Sequence, residues 1–514
     1  MESNIICILI TIIAYLVMMV IIGILCSKKM SSVNDFYLGG RKLGPIVTAM
    51  SAEASDMSSW LLMGLPGVAY LSGFADAGWT AIGLALGTYV NWLIVAKRLR
   101  IYSQKCSNAI TIPDFFSNRY RDNNHVLMGI SALIILIFFI PYTASGFAAC
   151  GKLFNSLFGL DYHAAMILSA VIIISYTSIG GFLAASTTDL IQSIVMTIAL
   201  VILVIFGIQT AGGFDAVIDN AKSISGYLSA DRIHNATGGS SSYGFIKIAS
   251  TMAWGLGYFG MPHILLRFMA IGDTNKVKTS RRIASVWVVI SMGVAILIGF
   301  IGNTLSANGS IAALSGSSEA ETVVIKMATV MSEHSVIAAL CAGLIFAGIL
   351  ACTMSTSDSQ LLAASSSLSE NILNGVFRLK LSQKASMLSA RLVLIVIALV
   401  SIVLAWNPNS SVFQIVSFAW AGFGATFGPV MLTALFWKRS NKWGALAGMI
   451  AGGITVFVWK FVIRPLGGAL DIYELLPAFI AALAAIIIVS LVTAKPDKEI
   501  IDEFDDVKKC MRNA

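Results

Sequence analysis

Thirteen apolar stretches, most near the ~20 residues a helix needs to cross a hydrocarbon core, occupy most of this 514-residue chain. Their limits are 5–26, 45–71, 77–96, 126–150, 163–185, 188–211, 244–266, 283–304, 335–359, 392–406, 411–437, 443–463 and 474–494. In lipid every backbone polar group must be satisfied within the chain, so stretches of this length predict helices. Only 12% of the residues are charged, about half the ~25% of soluble domains. That excludes a soluble enzyme, a disordered chain and a secreted disulfide scaffold. The first stretch is not read as a cleaved leader, because Glu2 stands where a basic region belongs and the apolar run is too long.

The net charge of +8 does not point to nucleic acid, because the cations are spread over short loops. Those after spans 1, 3, 7, 9 and 11, with the C-terminal tail, hold 4, 6, 5, 4, 3 and 5 of them, 27 of the 34 Lys and Arg. An excess of Lys and Arg marks the cytoplasmic side. The expected topology is therefore a multi-pass cell-membrane protein with its N-terminus outside and its C-terminus in the cytoplasm. Residues 1–494 form one transmembrane domain, 212–243 is the longest outer loop, and 495–514 is a short solvated cytoplasmic tail. The seven cysteines are scattered and form no CxxC pair, so they imply neither a metal site nor a disulfide framework.

Two spans are unlike the rest. The second carries Glu53 and Asp56, with Pro66 and Gly67 behind them, and the seventh is interrupted by Gly255, Gly257, Gly260 and Pro262. They lie five spans apart. Interrupted segments at corresponding positions of two halves point to an inverted-repeat transporter with its site at the breaks. The repeats would be about 45–211 and 244–437.

Charge at membrane depth is expensive and should face a cavity or a partner. Glu53, Asp56, Asp189 and Asp358 are the deepest acids. Asp56 stands among small residues where unwound backbone would free carbonyls, and hard oxygens suit small cations; it equally suits the cap of a half-helix. Ser355 and Thr356 close the long apolar run of span 9, a pattern shared by cation sites and helix–helix hydrogen bonds. Gly180-Gly181 and Asp189 read as a turn with a capping acid or as part of a path. Trp60, Tyr142, Trp254 and Tyr258 sit near small or helix-breaking residues, and suit either packing or a ring-lined pocket. There is no GxxxxGK[ST], HExxH or GxSxG pattern, which disfavours an ATP-driven pump or an intramembrane hydrolase.

The block Ser51-Ala-Glu-Ala-Ser-Asp-Met-Ser-Ser-Trp-Leu-Leu-Met-Gly-Leu-Pro-Gly67 resembles the signature of the sodium/solute symporters. So do Leu38–Pro45, Gly180–Asp189, Trp254–Ala270, Met354–Leu362 and Ala419–Pro429, and the nearest branch of the family is its bacterial proline carriers. The resemblance spans about residues 10–490. It implies an all-α membrane protein of about 13 transmembrane helices with a five-plus-five inverted-repeat (leucine-transporter-like) core. It implies sodium-coupled symport of L-proline by alternating access, with no enzyme activity. Carried over residue by residue, it implies sodium ligation by the carbonyls of Ala54, Met57 and Cys352 and the hydroxyls of Ser355 and Thr356. Asp56, Asp189 and Arg41 would serve coupling and gating. Proline would meet Ser58, Trp60, Tyr142, Trp254, Tyr258 and Pro262. The chain departs from the pattern at Ser59, where glycine is expected, and at Cys352, where alanine is usual.

The partners expected are thus a small solute, sodium as the co-transported ion and the lipid bilayer, with no nucleic acid and no obligate protein partner. Alternatives are another cargo (amino acid, sugar acid or vitamin), a proton in place of sodium, or a channel or membrane sensor.

Overall fold

A computed structural model describes residues 2–28, 32–235, 238–379 and 381–513. The end residues Met1 and Ala514 and the loop cations Lys29 and Lys380 lie outside the described residues.

Among the described residues ten helices are long and apolar enough to cross a membrane. They do not map singly onto thirteen stretches, for two reasons. Stretches 163–185 and 188–211 run together as Tyr162–Thr210, a 49-residue element that would be about 74 Å long if straight, against a core of ~30 Å. It breaks at Gly181 (φ 56°, ψ −157°), a conformation glycine adopts at little cost. A Cβ on Gly180 would lie 2.3 Å from that of Ala184, whereas i,i+4 neighbours of a straight helix stand ~5–6 Å apart. Stretches 45–71 and 244–266 are the second reason, because each is divided into shorter pieces.

Burial ranks the helices. The apolar windows of Val412–Phe436 and Val336–Val376 are 83% and 67% buried, while those of Asn4–Ser27 and Lys442–Leu466 are 22% buried. The former two pack around the divided helices as the inner layer. The latter face outward with large apolar side chains such as Ile6, Ile10, Ile13, Val17 and Ile21 exposed, as lipid-facing helices should.

The 212–243 connection is ordered, with a helix Phe214–Ser223 and an antiparallel pair Arg232–His234 and Ser240–Ser242. Tyr227 is buried, donating its hydroxyl to the Tyr70 carbonyl at 2.8 Å.

The tail differs from the solvated segment expected. Lys498–Asn513 is a helix whose Ile500, Phe504 and Val507 are buried, at i, i+4 and i+7 on one face. Arg98 lies 4.9 Å over the Phe504 ring, and Arg121 pairs with Glu503 at 2.6 Å. The alternation of acids and bases hid an amphipathic helix that docks on the bundle.

Candidate functional site

The first divided helix begins as Pro45–Ser59, with Pro45 in its first turn, where a missing N–H leaves nothing unpaired. It breaks at Ser58 (φ 48°, ψ −173°). The Ser58 hydroxyl accepts the Trp60 N–H at 3.1 Å. The chain continues through a wide turn, Trp60–Gly64, into Leu65–Ser72. Pro66 and Gly67 are not the breakers they looked. Pro66 sits in the first turn of Leu65–Ser72, and a Cβ on Gly67 would come within 2.9 Å of the Ala320 backbone, so Gly67 admits the passing loop.

The second divided helix follows its glycines and proline more directly. Phe245–Met252 passes into a 3₁₀ segment, Ala253–Phe259, then extended Met261, then Pro262–Ala270. A Cβ on Gly257 would sit 1.9 Å from Trp420 Nε1. The missing side chain lets that indole close in and donate to the Trp254 carbonyl at 2.7 Å.

The two breaks meet. Tyr258 Oη donates to Asp56 Oδ2 at 2.5 Å, and Asn91 Nδ2 donates to the Tyr258 carbonyl at 3.0 Å. Asp56 is therefore a bridge between the divided helices and not the cap of a half-helix. Glu53, one turn earlier, accepts from Trp92 Nε1 at 2.9 Å; its other oxygen has no partner among the described residues.

Beside Asp56 a cavity is lined by Met57, Trp60, Tyr142, Trp254, Val416 and Trp420. It encloses about 10 Å³, room for about one water. Trp60 and Trp254 stand 5.8 Å apart, Trp254 lies 5.6 Å from Phe413, and Tyr473 stacks on Trp254 at 5.1 Å. Trp60 Nε1 and Tyr142 Oη make no hydrogen bond among the described residues, although Ser58 lies beside the Tyr142 hydroxyl. Buried donors without acceptors mark a place where a polar ligand or water belongs. Above Phe413 open two vestibules of about 390 and 220 Å³, sharing Asp76, Phe413, Ser417 and Arg464. Glu321 fixes this roof by accepting the Phe413 N–H at 3.0 Å and the Ser411 hydroxyl at 2.8 Å.

On the other flank of the first break the Ser355 hydroxyl donates to the Ala54 carbonyl at 2.8 Å. Ser355 and Thr356 also lie 3.1 and 3.2 Å from the Cys352 carbonyl. Met57, one turn beyond Ala54, gives its carbonyl to the Trp60 N–H. All five residues are buried. The oxygens are hard and neutral, the donor type that suits a small cation.

Further along the same helices is a charged layer. Asp189 Oδ2 accepts from Arg267 at 3.1 Å and from Ser51 at 2.6 Å, and Arg267 Nε donates to Ser51 at 3.0 Å. Arg267 also bonds Ser359, whose hydroxyl donates to Asp358 Oδ1 at 3.0 Å, and Tyr176 closes on Asp358 Oδ2 at 2.9 Å. Asp189 and Arg267 are 0% and 1% exposed. Asp189 is thus an ion-pair partner and not a turn cap.

Arg267 corrects the loop count made from sequence. Its place in the sequence groups it with the cations after span 7, but Pro262–Ala270 carries it inside the protein, since Phe268, Met269 and Ala270 continue the apolar run. Arg41 stands apart from this layer. It donates to Asn108, Ser103 and the carbonyls of Met269 and Ala109, and burial, then nearby Arg100, pull its guanidinium down to about 10.

Of the residues singled out from sequence, the structure gathers Asp56, Trp60, Tyr142 and Trp254 at the cavity, with Ser58 and Tyr258 beside it. Pro262 only opens its helix, and Ser59 is buried outside the cavity lining. Trp420 and Phe413 were missed. Their setting among small residues (Ala419, Ala421, Gly422) and at a helix start was the available signal.

The chain matches the family model described as "Sodium:solute symporter family" over residues 36–452. It is similar to the high-affinity proline transporter PutP of Bacillus subtilis (strain 168), 42% identical over 494 residues, covering 96% of this chain and 100% of that one. It is also similar to the sodium/proline symporter of Haemophilus influenzae, 42% identical over 510 residues, with 98% of each chain covered. Among solved structures, a Na+-coupled sialic acid symporter in a substrate-bound outward-open state superposes with a TM-score of 0.78 at 18% identity, over 96% of this chain and 99% of that one. The architecture is accordingly that of the leucine-transporter-like, inverted-repeat sodium symporters.

Proposed function

This chain belongs to the sodium:solute symporter family, and from that premise we propose that it is a multi-pass membrane transporter that carries L-proline together with sodium. The observation that carries the reading is the junction of the two divided helices at Asp56 and Tyr258. The ring-lined cavity lies on one side of it and the neutral oxygens of Ala54, Cys352, Ser355 and Thr356 on the other. Proline-carrying relatives that match over nearly the whole chain support the same cargo.

In this reading sodium lies among the carbonyls of Ala54, Met57 and Cys352 and the hydroxyls of Ser355 and Thr356, tying the first divided helix to Val336–Ser366. Its binding displaces the Ser355 hydrogen bond to Ala54 and sets the break at Ser58. Trp60 Nε1, Tyr142 Oη and Ser58 then offer donors to the proline carboxylate, while Trp60, Trp254 and Tyr258 enclose the ring. The present cavity is far smaller than an imino acid, so entry requires Trp60, Trp254 and Phe413 to part toward the vestibules. Exit requires the Asp189–Arg267 layer to open, with Asp56 reporting occupancy between the two. Arg41 holds the connection on the exit side.

The orientation that fits is N-terminus outside and vestibules outside, because most basic residues then face the cytoplasm. The repeats are 45–211 and 244–437, within a transmembrane domain of 1–494 followed by the tail 495–514.

One charge crossing ~100 mV supplies about 2.3 kcal/mol, and a tenfold sodium gradient about 1.4 kcal/mol. At one-to-one stoichiometry these sustain an accumulation of roughly 500-fold. The test is labelled proline uptake into proteoliposomes with imposed gradients. Accumulation is expected to require inward sodium and to be competed by excess cold proline. Sodium-independent accumulation refutes the coupling, and competition by another solute but not by proline refutes the cargo.

A further inference from the structure

A second cavity lies away from the transport site, on the lipid-facing side. It holds about 480 Å³ between Tyr162–Thr210 and Val277–Ala307, with Met50 at its floor. One wall consists of Arg282, Ile283, Val286, Trp287, Ile290 and Val294, a single helical face at i, i+1, i+4, i+5, i+8 and i+12. At 1.5 Å per residue that face runs about 18 Å, close to the ~15 Å of one leaflet's hydrocarbon. The opposite wall carries Thr197, Leu200 and Val201, and Trp287 Nε1 ties the walls together by donating to Thr197 Oγ1 at 2.9 Å. Val286 and Ile290 are exposed, so the groove opens sideways into the bilayer.

Apart from Thr197 and Ser291, whose hydroxyls donate to the Ser193 and Val288 carbonyls, the groove is apolar except at one end, and that end is cationic. Arg282 has no hydrogen bond, ion pair or ring contact among the described residues. Lys276 and Lys278 flank it, exposed, and Arg281 lies 5.3 Å over the Tyr89 ring with Nε unpartnered. Asp273 is the sole acid between residues 270 and 290, and it is engaged with the Asn275 N–H. A slot as long as one leaflet, open to lipid and headed by an unneutralised guanidinium, matches one chemistry. It has an acyl chain below and a phosphate above.

We propose that this groove holds one anionic phospholipid, its phosphodiester on Arg282 and one acyl chain along Val286, Ile290 and Val294. The site has a route to the transport machinery. Met50 immediately precedes Ser51, which holds both Asp189 and Arg267. The occupied groove therefore braces the start of the first divided helix.

The test is native mass spectrometry of the protein extracted from vesicles of phosphatidylcholine with one quarter phosphatidylglycerol. The wild type is expected to retain one phosphatidylglycerol per chain. R282Q should lose at least about tenfold of that retention and R282K should keep it, showing that the fold survives substitution there. V286W leaves the charge but fills the slot, and should also lose the lipid. Added glycerol phosphate should not displace the lipid, because the tail contributes most of the binding. Equal retention by wild type, R282Q and V286W overturns the proposal. Equal retention of both lipids by the wild type, or displacement by glycerol phosphate, overturns it as well. None of these readouts depends on what the protein transports.

Discussion

Removing either charge of the Asp189–Arg267 pair should open the bundle at that end. The two groups are 0% and 1% exposed and 3.1 Å apart. The bonds from Ser51 and Ser359 bring in two further helices, so the pair joins four segments, which separate for exit under the proposed function. Taking one partner from a buried pair leaves the other uncompensated, which costs about 3–5 kcal/mol. The cost falls on the closed arrangement, where water cannot reach the orphan. At about 1.36 kcal/mol per decade, the ratio of closed to open shifts by roughly 150- to 5000-fold. The assay is alkylation of a cysteine introduced at Ser186, after replacement of the seven native cysteines, all of which are free. Ser186 lies one turn from Asp189, fully buried and with its hydroxyl unpartnered, so Ser186→Cys sacrifices no bond. Asp189→Asn and Arg267→Gln should each label at least about a hundredfold faster than the parent. The double variant, with neither charge left alone, should recover at least about tenfold of that rate. Labelling of both single variants within about twofold of the parent refutes the gate. A double variant faster than either single one refutes the pairing.

Three other substitutions follow from the same geometry. Thr356→Val removes an oxygen without changing shape, and Asp56→Asn removes the charge that Tyr258 holds; both should raise the sodium needed for half-maximal proline uptake at least about tenfold, the equivalent of ~1.4 kcal/mol, and normal sodium curves in both would remove the ion from that position. Trp254→Ala deletes the ring shared by Trp60, Phe413 and Tyr473; at about 1.5–3 kcal/mol for one buried aromatic face, equilibrium dialysis should show proline affinity down roughly ten- to hundredfold, and unchanged affinity would move the substrate elsewhere. Phe504→Ala takes the anchor from the tail helix at a cost of about 3 kcal/mol; trypsin should then cut at Lys508 and Lys509 while uptake stays within about twofold, and an equally resistant tail would refute the docking.

The two breaks show where reading the sequence succeeds and where it stops. The second break was legible because its glycines and Pro262 fall where the backbone leaves the helix. For the first, the sequence marks a span open to unwinding near Asp56, with Pro66 and Gly67 as breakers behind it, but not the residue that turns. The residue that turns the chain is Ser58, at φ 48°, a conformation L-residues rarely adopt. No local propensity places a break there. It persists because surroundings impose it: Ser58 takes the Trp60 N–H, Tyr258 holds Asp56, and Ser355 holds Ala54. Two of those three partners come from segments some 200 and 300 residues away. The same limit explains Arg267, whose partner Asp189 is 78 residues distant, and Trp420, whose approach depends on the absence of a side chain at Gly257. Periodicity reports which residues meet lipid, and breakers report where a helix can end. Neither reports which distant side chain makes a strained turn the stable one. That strain also has a use. Ser58 is held at a positive φ beside bonds that a ligand can exchange, and the Ser355–Ala54 bond lies among the oxygens assigned to sodium. In the proposed function an ion bound there takes the place of that bond and holds the break at Ser58, which couples it to the ring-lined cavity on the other side.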